Sequence, residues 1–372
     1  MQIIFTDALR TLGSDVALRI INQARPGNAY LLATILPERA VRSYQAKNAA
    51  MTVRSAMPGL VGMDSPYPPT GKIDVSTFLE NTAKIGSTVV MNEESLRTLQ
   101  EQMLYLMASG ASTNQILVEE VLNFTNAVLV QPQLDVAEWL RGQALGTGAI
   151  AWTFGNVTLS IDYGVPVSNQ LTARTGNDAY AGSTSKFWTD VRAQNRLLRN
   201  ASNIIRIAHP DLVDDIITNS VNAVQVVNDQ DGMITIRKYE TIGGNTVPSS
   251  DARDTVMLYK YGLQGEVIDP ANPTATQLVS FWPRTKMVAI GATVNTGYVV
   301  GAGSRPPTEW ELGYTHLAPT VEAGGAPGRW ARVYTPEQRP WQLVGETAAN
   351  VLPVIDSKSA SRIVIATSDV SA

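Results

Sequence analysis

Residues 38–90 sustain no hydrophobic periodicity. They carry Met51, Met57 and Met63, the turn pair Pro58-Gly59 and the cluster Ser65-Pro66-Tyr67-Pro68-Pro69-Thr70-Gly71-Lys72. Such a stretch reads as a long extended excursion punctuated by turns. Inside a compact monomer a structureless loop of this length is anomalous, because its backbone polar groups need partners. It makes physical sense when its contacts lie on another copy of the chain. That requirement limits what the remaining residues can build.

The remainder is ample for a core. With 372 residues, 44% apolar and 17% charged, the length suits two domains or one large body with insertions. The balance of 29 basic against 33 acidic residues gives a net charge of −4, which argues against a dedicated nucleic-acid grip. The absence of Cys excludes a disulfide framework, Cys-ligated zinc, iron–sulfur clusters and thiol catalysis. Two histidines, His209 and His316, offer little for metal or acid–base chemistry, and no metal or cofactor is expected. Met1–Phe5 is apolar, but Asp7 and Arg10 follow, so no signal-peptide core is expected. The apolar runs Leu31–Leu36 and Met287–Gly291 fall short of the roughly 18 residues a membrane helix needs. A soluble protein without a membrane partner is expected.

Helices gather early and strands late. Val16, Ile20, Ile21 and Ala24 recur at helical spacing until Arg25-Pro26-Gly27. Asn92 is a plausible cap for a run through Leu96, Leu99, Met103 and Leu106; Gly110 interrupts it. A second run holds Leu117, Val121, Phe124 and Val128, and Pro132 breaks or kinks it; Gln133–Leu145 then ends at a glycine stop, Gly146-Thr147-Gly148. A strand pair over 149–161 turns at Gly155-Asn156. Further on, Ser185 caps a helix to Arg199, Asn203–Ala208 is a buried strand, and Pro210 opens a helix to Ile217. Val224–Val227 and Met233–Arg237 flank Asp231-Gly232 as a hairpin with a loop longer than two residues. Strands follow near Thr255–Tyr261 and Lys286–Thr293, joined by a Gly/Pro-rich excursion. Later ones are Arg329–Tyr334, Trp341–Val344, Val351–Ile355 and Arg362–Thr367. The fold class is α+β with a mixed or antiparallel sheet.

Motifs for chemistry fail on context. Gly301-Ala302-Gly303 opens like a dinucleotide fingerprint, but Arg305-Pro306-Pro307 stands where a helix must start. Gly182–Lys186 lacks the phosphate-loop order and serves better as a helix cap. Asp229–Gly232 evokes a calcium loop, yet the twelfth position is Lys238 rather than Glu, so a hairpin turn explains it. His209 reads as a strand-end or capping residue, His316 lies in a Gly/Pro-rich loop, and no Gly-x-Ser-x-Gly elbow accompanies either. Asp214 and Asp215 read as solvated acids. The chain therefore does not read as an enzyme. Arg192, Arg196 and Arg199 share one helix face, either solvated and paired with acids or a contact surface for a partner subunit or DNA. Trp310, Trp330 and Trp341 serve a core or an interface, and aromatics favour the latter.

The order of these parts resembles the lambda-type major head protein family of tailed-bacteriophage major capsid proteins, with the HK97-like fold. Ser65-Pro66 ahead of Gly71-Lys72 is similar to the start of the family's E-loop. Asn203-Ile204-Ile205, then Pro210 and a helix, is similar to an A-domain landmark. Phe281-Trp282-Pro283 with Met287–Gly291 resembles a family strand, and Val351-Leu352-Pro353-Val354 with Arg362–Thr367 the closing strands. The resemblance implies an N-terminal arm (1–36), an E-loop region (37–90), a peripheral P-domain with a spine helix (91–165 and 301–372) and an axial A-domain (166–300). It implies a structural major capsid protein that self-assembles into hexamers and pentamers of an icosahedral shell. That shell would be built in the host cytoplasm and found in the virion. Implied partners are a scaffolding protein, a portal, a decoration protein in some cases, and packaged DNA as non-specific content. Residues assigned to inter-subunit contact are Ser65, Pro66, Tyr67, Lys72, Lys84, Arg192, Arg196, Arg199, Trp330 and Trp341. Some family members weld subunits by a Lys–Asn isopeptide bond, a role for Lys72 or Lys84 with Asn350. The alternatives are an encapsulin-like cellular compartment and a non-assembling α+β binding module.

Overall fold

A computed structural model describes residues 30–55, 71–94, 97–98, 101, 105, 129–154, 157–199, 201, 203–230, 232–242, 245–249, 251, 254–269, 272–292, 311–334, 336, 342–355 and 357–371. The expected helix around Val16–Ala24, the fingerprint-like Gly301–Ser304, and Trp310 lie outside these residues.

Two sheets organise the chain. The first joins β1 (Glu38–Ala40), β15 (Gly313–Ala318), β17 (Leu343–Ile355) and β16 (Arg329–Tyr334) in that order, with β4 (Ala83–Met91) also on β17. β1 runs parallel to β15 and every other pairing in this sheet is antiparallel. The sequence suggests two short strands at 341–344 and 351–355, but β17 is one strand of 13 residues. Pro353 is tolerated within it for a geometric reason. The Thr315 N–H donates to Pro37 O, so Thr315 and its partner Pro353 are a non-hydrogen-bonded pair. The proline nitrogen therefore faces the other edge, where β4 has already ended at the Val351–Ala83 pair.

The second sheet has the order β10 (Asn245–Pro248), β9 (Met233–Ile242), β11 (Thr255–Lys260), β7 (Ile204–Ala208), β14 (Lys286–Gly291) and β18 (Ile363–Thr367), with β8 (Val224–Gln230) on β9. The C-terminal strand thus crosses into this sheet, where the sequence reading groups it with 301–372. The β8–β9 connection is a two-residue turn, not a longer one, because Gln230 pairs with Met233 and Gly232 takes φ 74°. The Gly/Pro-rich excursion after β11 contains an unforeseen hairpin, β12 (Gln264–Asp269) on β13 (Asn272–Ser280).

Among the helices, α1 (Leu32–Ile35) is a single turn against α2 (Gln131–Thr147). Pro132 sits in the first turn of α2, where its missing N–H costs nothing, and the run Leu117–Val128 that it is expected to break or kink lies outside the described residues. Gly148 ends the helix at φ 73°. Gly142 and Gly146 let α2 press on the Phe281–Pro283 segment, with an ideal Cβ at Gly142 only 1.9 Å from Phe281 O. α3 (Phe187–Leu197) and α4 (Pro210–Thr218) cover one face of the seven-stranded sheet through Phe187, Val191, Leu212 and Ile216 against Ile234, Ile236 and Leu258. A larger core joins α1, α2, β17 and the opposite face of that sheet, including Leu140, Leu145, Trp282, Ile207 and Ile290. β5 (Ala149–Phe154) and β6 (Val157–Asp162) form the expected hairpin, packed through the Trp139–Trp152 edge contact. Last comes α5 (Ser357–Ala360). Among the described residues no helix is long and apolar enough to cross a membrane.

Candidate assembly surface

β2 (Gln45–Ser55) and β3 (Gly71–Asn81) form an antiparallel ribbon paired without interruption from Gln45–Asn81 to Ser55–Gly71. Eleven residues per strand at roughly 3.4 Å each make it about 35 Å long. Among the described residues its strands pair only with each other. β3 passes through Thr82 directly into β4, so the ribbon prolongs the five-stranded sheet.

Its root is pinned through two backbone carbonyls. Thr82 donates to Tyr44 O from both its N–H (3.3 Å) and its hydroxyl (3.0 Å). His316 Nε2 lies 2.8 Å from Ser43 O. A carbonyl only accepts, so Nε2 carries the proton, while the buried Nδ1 has no hydrogen-bond partner among the described residues. His316 is therefore a buried strand residue of β15, not part of a loop. Gly313 and Pro319 on either side of it disguise the strand.

The neighbouring sheet face presents an aromatic–arginine ladder. Trp330, Arg332 and Tyr334 alternate along β16, and the Arg332 guanidinium lies 5.8 Å and 4.2 Å from the two ring centroids. Glu346, directly opposite on β17, accepts from Arg332 (3.0 Å) and from the Tyr334 hydroxyl (2.8 Å). The Glu346 hydrogen bond pushes the Tyr334 phenol up from its ordinary range. Rigid aromatics around an arginine are the side chains that interface hot spots favour. Only Trp330 of this set is foreseen, although the Trp-x-Arg-x-Tyr alternation is readable in the sequence.

The other assigned residues are dispersed. Lys84 on β4 and Asn350 on β17 are direct cross-strand partners. Lys84 is ion-paired with Glu322, holding that carboxyl below its usual range, and the Asn350 amide donates to Pro319 O. Lys84 and Asn350, one of the two pairings assigned to a cross-link, are thus both engaged within the chain. Lys72 sits in β3 opposite Arg54. Arg192 pairs with the buried Asp254 at 3.1 Å, while Arg196 and Arg199 are exposed on the same stretch. Ser65, Pro66, Tyr67 and Trp341 lie outside the described residues. His209 is the N-cap of α4: its Nδ1 accepts the Asp211 N–H at 3.3 Å. Asp215, read as solvated, is buried and accepts from the Ser371 N–H at 2.9 Å and from its hydroxyl.

No protein-family model matches the chain, and no curated protein matches its sequence. Solved structures do. A prophage protein of E. coli CFT073, assigned as a capsid protein, is similar at a TM-score of 0.54 and 10% identity, over 96% of this chain and 99% of that one. The chain thus has an α+β fold related to the HK97-type capsid fold. Weaker likenesses are a phage-related protein from Bordetella bronchiseptica RB50 (TM-score 0.48, 8% identity, 95% and 96% covered) and the SrpI encapsulin of Synechococcus elongatus PCC 7942 (0.40, 10%, 95% and 94%). Among the described residues no three His, Cys, Asp or Glu are grouped to hold a metal ion.

Proposed function

We propose that this chain is a major capsid protein, the structural subunit of the closed shell around the genome of a tailed double-stranded DNA phage. The observation that carries the reading is the ribbon. A two-stranded hairpin is marginally stable alone in water, and 11 paired residues per strand leave two long rows of backbone groups without a sheet neighbour among the described residues. A second copy of the chain supplies what such edges need, and repetition around closed rings makes many modest contacts into a stable wall. The fold shared with the E. coli CFT073 prophage protein supports this choice over a solitary binding module. On this reading the ribbon is the E-loop, α2 is part of the spine, and the seven-stranded sheet is the core of the A-domain. The lambda-type assignment, the portal, scaffolding and decoration partners, and the virion location belong to the same proposal.

The test is negative-stain microscopy of the expressed protein, followed by analysis of what native particles contain. Closed particles that protect double-stranded DNA from nuclease support the capsid reading. Particles holding enzyme cargo and no DNA transfer the chain to the cellular-compartment class, and the absence of any ring or particle refutes both.

A further inference from the structure

One carboxylate joins three parts of the chain that are remote in sequence. Gln131, Asp135 and Glu138 share a face of α2. Tyr30 donates its hydroxyl to Asp135 Oδ1 at 2.6 Å, bringing the segment before α1 onto that face. One turn along, the fully buried Glu138 receives three donors. Its Oε1 accepts the Leu32 backbone N–H at 2.9 Å and the Tyr261 hydroxyl at 2.5 Å, while Oε2 accepts Arg141 Nη1 at 2.7 Å. Leu32 begins α1, 106 residues from Glu138; Tyr261 follows β11 of the seven-stranded sheet, 123 residues away on the other side. Burial and the nearby Glu138 charge push the Tyr261 phenol well up, so it stays a donor.

Arg141 extends the network. Its Nη2 donates to Glu38 Oε1 at 2.7 Å and its Nε to Thr315 Oγ1 at 2.8 Å. Glu38 is gripped from the other side by Arg329 at 3.0 Å and 2.5 Å. Glu38 and Glu138 balance Arg141 and Arg329, so the cluster is neutral. Within a buried polar network each bond strengthens the others, and removing a member strands its partners. Two donors from separate parts of the molecule on one oxygen are coupled by that shared acceptor.

We propose that Glu138 is a mechanical junction, through which the docking of residues 30–36 on α2 and the seating of the seven-stranded sheet on α2 reinforce each other. Displacing either one loosens the other. The coupling is a property of the single chain and does not depend on the shell reading.

Hydrogen–deuterium exchange of the full chain tests it. Tyr261→Phe removes one hydroxyl from the sheet side. Exchange at residues 32–36 should rise about tenfold, within the range of ordinary inter-site coupling. Trp188→Phe is the control, because it deletes the 2.6 Å indole N–H bond to Asn222 O in the same sheet region without touching Glu138. It should leave residues 32–36 unchanged. Coupling is reciprocal, so Tyr30→Phe should raise exchange at residues 255–261, which keeps the test alive if Tyr261→Phe fails to fold. Unchanged protection at 32–36 in Tyr261→Phe, an equal rise in Trp188→Phe, or unchanged 255–261 in Tyr30→Phe overturns the proposal.

Discussion

Gly142→Ala is the sharpest test of how α2 meets the seven-stranded sheet. A methyl group at this position lies 1.9 Å from Phe281 O and 2.9 Å from Phe281 C. A carbon–oxygen contact needs about 3.3 Å, so one backbone must retreat by about 1.4 Å. Little room exists for that movement. The Phe281 N–H is fixed on Leu263 O at 2.9 Å, and the next residue, Trp282, is fully buried with its indole N–H on Lys286 O at 3.0 Å. Overpacking against backbone falls at the upper end of about 1–3 kcal/mol. Alanine returns about 1 kcal/mol through its helix propensity. The net expectation is a loss of about 2 kcal/mol, read as a lower urea midpoint at unchanged slope, with tryptophan fluorescence as the probe. Gly146→Ala is the internal comparison. Its methyl meets Pro283 Cδ at 2.8 Å; that ring carbon is bonded to the backbone nitrogen and yields little, but the overlap is smaller, so the loss should be smaller than for Gly142→Ala. A Gly142→Ala midpoint equal to or above wild type would refute the close approach of α2 to Phe281.

Arg329→Met should lower stability by about 3–5 kcal/mol, since it strips Glu38 of a buried cation, and chemical denaturation measures this. Burial pushes the Glu38 carboxyl up, but Arg329 and Arg141 outweigh it and hold the group below its ordinary 4.5. A depressed carboxylate stabilises the fold above the unfolded value, so this contribution should fade as pH falls below about 4.5 and be smaller in Arg329→Met. His209 works in a higher window. Burial lowers its pKa from 6.5, and Arg284 adds to this against the opposing pull of Asp211. The unfolded chain therefore takes up the proton first, and stability should drop as pH falls through about 6.5. His209→Asn caps α4 without titrating, and its stability curve between pH 7 and 5 should be flatter than wild type. Lys84→Met, which removes an exposed ion pair with Glu322, should change stability by less than about 1 kcal/mol in the same denaturation assay.

Local chemistry made much of the fold readable. Pro210, the glycine stop after α2 and the apolar Asn203–Ala208 each act through their own backbone or side chain, and the corresponding elements form. What escaped depends on remote partners. Trp341–Val344 and Val351–Ile355 read as separate strands until β4, β15 and β16 pair along the whole of Leu343–Ile355 and make it one. The isolated pattern of 262–280 gives no hint that β12 and β13 pair, nor does 313–318 announce a central strand. Of the candidate assembly surface, the extended character of the ribbon was legible because aperiodicity and turn residues are local signals. The buried acids and bases of its supporting body were not. Glu38, Glu138, Arg141 and Arg329 look like ordinary surface charges until three distant segments bring them together.

The most direct measurement is particle mass in solution for the full chain and for a variant in which residues 46–80 are replaced by Asn-Gly, a tight turn that closes the Gln45–Asn81 pair. If the ribbon joins copies, the full chain assembles into particles many times its 40.1 kDa subunit mass, while the ribbonless chain folds but stays at subunit or small-ring mass. A full chain that remains a monomer at every concentration, or a ribbonless chain that assembles equally well, would contradict it.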